Sequence, residues 1–253
     1  MGSFNKLNKK NNAVTTKRIN HMTDPKRCTH CGNYVSPAKR FCPWCGVALA
    51  AEQQATDTAP EFDPRNANVW FNKGTSFRNA KRYAEAIECF DKALEIAPRF
   101  AYAWNNKGES LYFLGRYAEA IECYDKALEI DPREVNAWNN KGASLDSLGR
   151  YAEAIECYDK ALEIDPRLVA AAMWNNKGQS LNNLSRYAEA IECYDKALEI
   201  APRLVAAWRN KGASLDSLGR YAEAIECYDK ALEIDPQDAF AQEGKKGALA
   251  KRL

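Results

Sequence analysis

The segment Tyr-Ala-Glu-Ala-Ile-Glu-Cys begins at residues 83, 117, 151, 187 and 221, so its cysteines are separated by 34, 34, 36 and 34 residues. A period of this length makes the chain a string of copies of one supersecondary unit, each burying its apolar faces against its neighbours. Aligned on itself, the chain falls into five units: 67–100, 101–134, 135–168, 171–204 and 205–238. Two extra residues, 169–170, stand ahead of the fourth.

Each unit reads as helix, tight turn, helix. Trp104, Gly108 and Leu111 recur at i, i+4 and i+7, which is one face of a helix. Gly115 can take the left-handed conformation that ends one. Ala120, Ile121, Tyr124, Ala127 and Leu128 mark the face of a second helix, and Pro132 closes the unit because proline cannot continue a helix interior. Gly108 and Ala120 are small where two helices must approach, while Trp104 and Tyr124 fill the space beside them.

The pattern of Trp, Gly and Tyr or Leu, then Ala, Phe or Tyr, then Pro resembles the tetratricopeptide repeat, and its five copies span residues 67–238 of 253. The resemblance implies an all-α fold: a right-handed superhelical solenoid of five helix pairs, with residues 239–253 as a capping helix. Lys73, Lys107, Lys141, Lys177 and Lys211 stand where that family usually has leucine. Such a lysine can lay its stem on apolar surface and put its ammonium into water. Lys81 and Ser185 replace the turn glycine in the first and fourth units. The two extra residues are predicted to lengthen the fourth unit's first helix or the turn before it.

Five cysteines, Cys89, Cys123, Cys157, Cys193 and Cys227, follow the repeat. Equivalent helices separated by another, with axes about 8–10 Å apart, leave their Cα atoms beyond the ~7 Å a disulfide allows. They are predicted to be reduced, buried and apolar in role.

The other four cysteines form two pairs, Cys28-x2-Cys31 and Cys42-x2-Cys45, each followed by a glycine, within residues 24–49. Four thiolates at this spacing suit tetrahedral zinc in a closed, structural site; iron is the alternative for a sulfur-only site. The segment resembles the short zinc ribbons at the ends of many prokaryotic proteins, two knuckles joined by a small hairpin. So short a module lacks an adequate core, which makes one bound Zn²⁺ its folding energy.

Charge divides the chain. Residues 1–50 hold nine lysines and arginines against Asp24, a net of +8, whereas 51–253 hold 27 basic and 33 acidic residues, a net of −6. Lys26, Arg27, Lys39 and Arg40, interleaved with Tyr34, Phe41 and Trp44, suit a nucleic-acid backbone and its bases, or simply a solvated basic surface. Residues 1–23 are polar and aperiodic, predicted as a disordered basic tail. Residues 50–66 read as a flexible linker that spans roughly 20–25 Å.

No run approaches the roughly 20 apolar residues of a membrane helix, and the basic N-terminus is not followed by the apolar core of a secretory signal. A soluble, cytoplasmic protein is expected. Both histidines, His21 and His30, fall outside the repeats; no phosphate-binding glycine loop is present, and the acids recur with the repeat as a solvated face. These absences argue against an enzyme.

Family resemblance implies that an extended peptide lies in a concave groove lined by first helices. Asn72, Asn106, Asn140, Asn176 and Asn210 follow each repeat tryptophan by two residues. A row of amides can pair with peptide backbone of any sequence, similar to the asparagine ladder of some family members, although asparagine is also common here in the family. Adjacent positions vary: Phe71, Asn105, Asn139, Asn175 and Arg209, then Thr75, Glu109, Ala143, Gln179 and Ala213. The family's carboxylate clamp, Lys followed four residues later by Asn, is absent. The expected function is a protein–protein interaction scaffold with a zinc-bearing head. The alternative is a nucleic-acid-binding adaptor whose basic ribbon contacts nucleic acid while the repeats recruit proteins.

Overall fold

The computed structural model describes residues 26–27, 34–35, 65–166 and 170–252. The chain divides into two units, Met1–Ala59 and Pro60–Leu253. In the first, strands β1 (Lys26–Arg27) and β2 (Tyr34–Val35) pair antiparallel, Lys26 opposite Val35 and Arg27 opposite Tyr34. The four head cysteines, residues 1–23 and linker residues 50–64 lie outside the described residues.

The second unit is an all-helical array. Its pairs are α1 (Ala67–Asn79) with α2 (Tyr83–Ile96), α3 (Ala101–Phe113) with α4 (Tyr117–Ile130), and α5 (Val135–Ser147) with α6 (Tyr151–Ile164). Then come α7 (Ala170–Asn183) with α8 (Tyr187–Ile200), α9 (Val205–Ser217) with α10 (Tyr221–Ile234), and a final α11 (Ala239–Arg252). Each helix packs on the next in sequence, and each first helix also touches the first helix of the following unit, whereas no such contact joins α2 to α4 or α4 to α6. The stack therefore curves with α1, α3, α5, α7 and α9 on its inner surface.

The turn inside each pair is set by backbone bonds. The Arg116 N–H donates to the Leu111 carbonyl and the Gly115 N–H to that of Tyr112, both at 2.9 Å. This double closure needs a left-handed residue, met by Gly115 at φ +75°. Lys81 (φ +59°) and Ser185 (φ +60°) hold the same conformation with a Cβ in place.

Close approach between paired helices explains the glycine at position eight of each unit. A Cβ on Gly108 would stand 2.6 Å from the Tyr124 ring, and one on Gly142 2.7 Å from that of Tyr158. The rings fill that space: Phe90, Tyr124, Tyr158 and Tyr194 are almost wholly buried, and burial raises the ionisation of the tyrosine hydroxyls far above the ordinary range. The five repeat cysteines are buried free thiols. Burial pushes Cys123, Cys157, Cys193 and Cys227 up to about 11, which leaves them protonated and inert at neutral pH.

Junctions between units repeat as faithfully. The indole N–H of Trp104, Trp138 and Trp208 donates to the carbonyl of Pro98, Pro132 and Pro202 at 2.9–3.0 Å. The repeat lysines do not release their ammonium groups into water as expected. Lys107, Lys141, Lys177 and Lys211 pair with Asp91, Asp125, Asp159 and Asp195 of the preceding second helix at 2.5–2.6 Å, and each lies 5.4–5.8 Å from the centre of its own unit's tryptophan ring. A half-exposed ion pair of this kind contributes only about 0.2–1 kcal/mol, but it recurs at every junction.

Of the two extra residues, Ala170 extends α7 to 14 residues against 13 in the other first helices. Met173, fully buried, occupies the slot that Ala103, Ala137 and Ala207 fill elsewhere. The junction between units three and four is thus built around a larger side chain than its neighbours.

Candidate ligand groove

The inner surface is made by positions 2, 5, 6, 9, 12 and 13 of the first helices, which share one helix face. Of the residues expected to bind, Asn105, Asn106 and Asn175 are buried, Asn72 is exposed, and Asn139, Asn140, Asn176, Asn210 and Arg209 are partly exposed. Much of their hydrogen-bonding capacity is spent inside the array. Asn140 Nδ2 donates to Asn105 Oδ1 at 3.3 Å, and Asn210 Nδ2 to Asn175 Oδ1 at 3.2 Å, so the amides form rungs between units. Asn106 accepts from Arg78 and donates to the Tyr102 carbonyl. Arg209 pairs with Asp238 at 3.0 Å and lies over the Phe240 ring.

One rung is missing. At the junction of units three and four, the bond from Asn176 to Asn139 that would match the other two is not made. Asn139 Oδ1 is left buried with no hydrogen-bond partner among the described residues. At the same junction a cleft of about 330 Å³ opens between α5 and α7, with Tyr112, Asp146, Tyr151, Tyr158, Asn176 and Gln179 in its walls. Asp146 Oδ1 accepts from Ser180 Oγ at 2.7 Å and Oδ2 from Tyr158 Oη at 2.8 Å. Burial holds its carboxyl above the ordinary range, against the pull of those two donors.

Position 12, which the asparagine row eclipsed, reads Arg78, Tyr112, Asp146, Asn182 and Asp216, different in nearly every unit. In units three and four its side chain accepts from the fully buried serine of the next unit, Ser180 to Asp146 and Ser214 to Asn182, the latter at 2.8 Å. Unit two adds aromatic surface: Tyr102 and Phe113 are 56% and 53% exposed, and Phe113 stacks on Tyr83 with centroids 4.9 Å apart.

A curved stack of helix pairs, its first helices lining an inner surface rich in amides and tyrosines, defines a helical-repeat solenoid. Tetratricopeptide repeat models match residues 67–100, 99–167 and 169–237, and the chain belongs to that family. No curated protein matches it. Among solved structures it is similar to YrrB, described as a TPR protein with an unusual peptide-binding site, at 23% identity and a TM-score of 0.62 over 73% of this chain and 94% of that one. MamA from Desulfovibrio magneticus is 20% identical, with a TM-score of 0.63 over 70% and 99%. A thermophilic TPR protein of Thermus thermophilus is 21% identical, with a TM-score of 0.57 over 73% and 99%. At these identities the likeness concerns the fold. Among the described residues, no helix is long and apolar enough to cross a membrane.

Proposed function

We propose that this chain is a non-enzymatic interaction scaffold whose inner surface holds an extended segment of another protein. The observation that carries the reading is where variation falls. Second helices are near-copies (Tyr-Ala-Glu-Ala-Ile-Glu-Cys-Tyr-Asp-Lys in four of five), while positions 9 and 12 of the first helices change from unit to unit and position 5 differs in the first and last units. A stack that only had to pack would not need that diversity on one face. YrrB, a TPR protein with an unusual peptide-binding site, uses the fold in this way.

We further propose that Cys28, Cys31, Cys42 and Cys45 hold one structural Zn²⁺. Support comes from the four-thiolate spacing and from the antiparallel pairing of β1 with β2, which flank the first cysteine pair in sequence. The metal would cross-link the head and supply its folding energy. Metal analysis of the purified chain should give one zinc per molecule, falling to none in Cys28→Ser/Cys42→Ser.

The groove reading is tested by a pull-down from nuclease-treated lysate with three baits: the full chain, residues 61–253, and the full chain carrying Tyr102→Ala, Gln179→Ala and Asn183→Ala. These three side chains are exposed and lie outside the amide rungs, so their loss leaves the stack intact. A protein held by 61–253 and released by the triple variant is the expected result. Capture that needs residues 1–50 and disappears with nuclease would overturn it in favour of a nucleic-acid adaptor.

A further inference from the structure

We infer that the cleft at the junction of units three and four is a socket for one basic side chain, arginine above lysine, of an extended peptide lying on the inner surface. The inference rests on the groove reading and deepens it by naming what the groove selects. Its first ground is charge. The five units place five charged residues at inner positions 5, 9 and 12: Arg78, Glu109, Asp146, Arg209 and Asp216. Arg78 pairs with Glu109, Arg209 with Asp238, and Asp216 with Lys251. Asp146 alone of the five faces no cation among the described residues; its partners are the neutral hydroxyls of Tyr158 and Ser180.

The second ground is the supply of acceptors. Each carboxylate oxygen of Asp146 takes one hydrogen bond and keeps one lone pair, a pair of acceptors that the planar fork of a guanidinium matches. Tyr112 and Tyr151 border the cleft, and aromatic faces attract a cation electrostatically. An acidic side chain would meet Asp146 with like charge, and an apolar one would leave these acceptors unpaired at a cost. A cation with several N–H donors answers both carboxylate oxygens.

The third ground is that the cleft sits where the repeat is interrupted. At this junction Ala170 lengthens α7 and Met173 stands where other units have alanine, and here the amide rung fails. Tyr102 and Phe113, exposed one unit away, offer apolar surface for residues next to the basic one.

A phage library of random nonapeptides is selected on the full-length chain, and the recovered peptides are titrated by fluorescence anisotropy. The proteins compared are the unchanged chain, Asp146→Asn, Glu156→Gln and the Tyr102/Gln179/Asn183 triple variant. Asn182 already receives Ser214 at the equivalent position, so Asp146→Asn keeps the Ser180 bond and folds; circular dichroism checks this. The expected peptides share one arginine or lysine whose replacement by glutamine weakens binding at least tenfold. Asp146→Asn should weaken the parent peptide at least tenfold and erase the difference between it and its glutamine version, while Glu156→Gln, at an exposed acid of α6 away from the inner surface, changes neither. Peptides that lose binding to the triple variant yet share no basic residue, or bind Asp146→Asn unchanged, would overturn the socket and leave the groove standing. Recovery of no peptide, or binding indifferent to the triple variant, would overturn both.

Discussion

Single residues in this array are held to their identities by one or two contacts each, and those contacts assign costs to substitutions. Lys81 and Ser185 sit at φ near +60° where Gly115, Gly149 and Gly219 sit at φ near +75°. A Cβ in that region costs about 1–2 kcal/mol, partly offset by the entropy a glycine adds to the unfolded chain. Lys81→Gly and Ser185→Gly should each raise stability by about 0.5–1 kcal/mol, read as a higher urea midpoint at unchanged m-value. Asp146 works the other way. Burial raises its folded-state pKa, so its ionisation opposes folding: the group is neutral and harmless below the ordinary carboxylate pKa of about 3.9, and stability is lost as pH rises through the raised folded value. Asp146→Asn should therefore be more stable than the unchanged chain at pH 7. The gap should narrow as pH falls towards 4, as pH-dependent urea titrations would show. A carboxylate kept at a cost to stability is consistent with its use in binding.

At the scale of the element, α11 behaves as a further first helix. Lys245 pairs with Asp229 at 2.5 Å as the repeat lysines do, and Gln242 donates to the Pro236 carbonyl at 2.8 Å where other units use tryptophan. It departs at Ala248, which occupies the place of Ser180 and Ser214. With no hydroxyl there, Asp216 Oδ1 is buried without a partner among the described residues, while Lys251 bonds the other oxygen. Ala248→Ser should supply the missing donor and stabilise the chain by about 1 kcal/mol, measured by thermal or urea unfolding. The α7 helix shows the converse, a departure that creates a feature: the larger Met173 and the added Ala170 accompany a lost rung and an opened cleft.

For the whole molecule, stability is a sum over units and junctions because each helix touches only its near neighbours. Lys–Asp pairs, Trp–Pro bonds and Gly–Tyr contacts all return with the period, so a unit can leave without spoiling the seams. Excising residues 101–134 joins unit one to unit three in register. The shortened chain should remain helical and cooperative, with a urea m-value lower by about a fifth, since m follows the surface exposed on unfolding. Removing 27 residues instead of 34 should leave the flanking units out of register and abolish cooperative unfolding. Circular dichroism during urea titration distinguishes the two.

Periodicity alone was enough to read the helix pairs, their turns, the glycine–tyrosine contacts and the buried thiols, because each depends on residues near in sequence or one period away. The asparagine row was equally legible as a row. Its bonding was not: whether an amide faces solvent or a neighbour depends on the distance between successive first helices, which no single unit encodes. Asn105, Asn139 and Asn175 are the same residue at the same position; two accept a rung and one does not. Likewise Asp146 and Asp216 read as identical in sequence, yet one is neutralised by Lys251 and the other faces an open cleft. The sequence determined the repeating unit; only the packing of one unit on the next decided which polar groups were left over, and those are the groups with which a partner can bond.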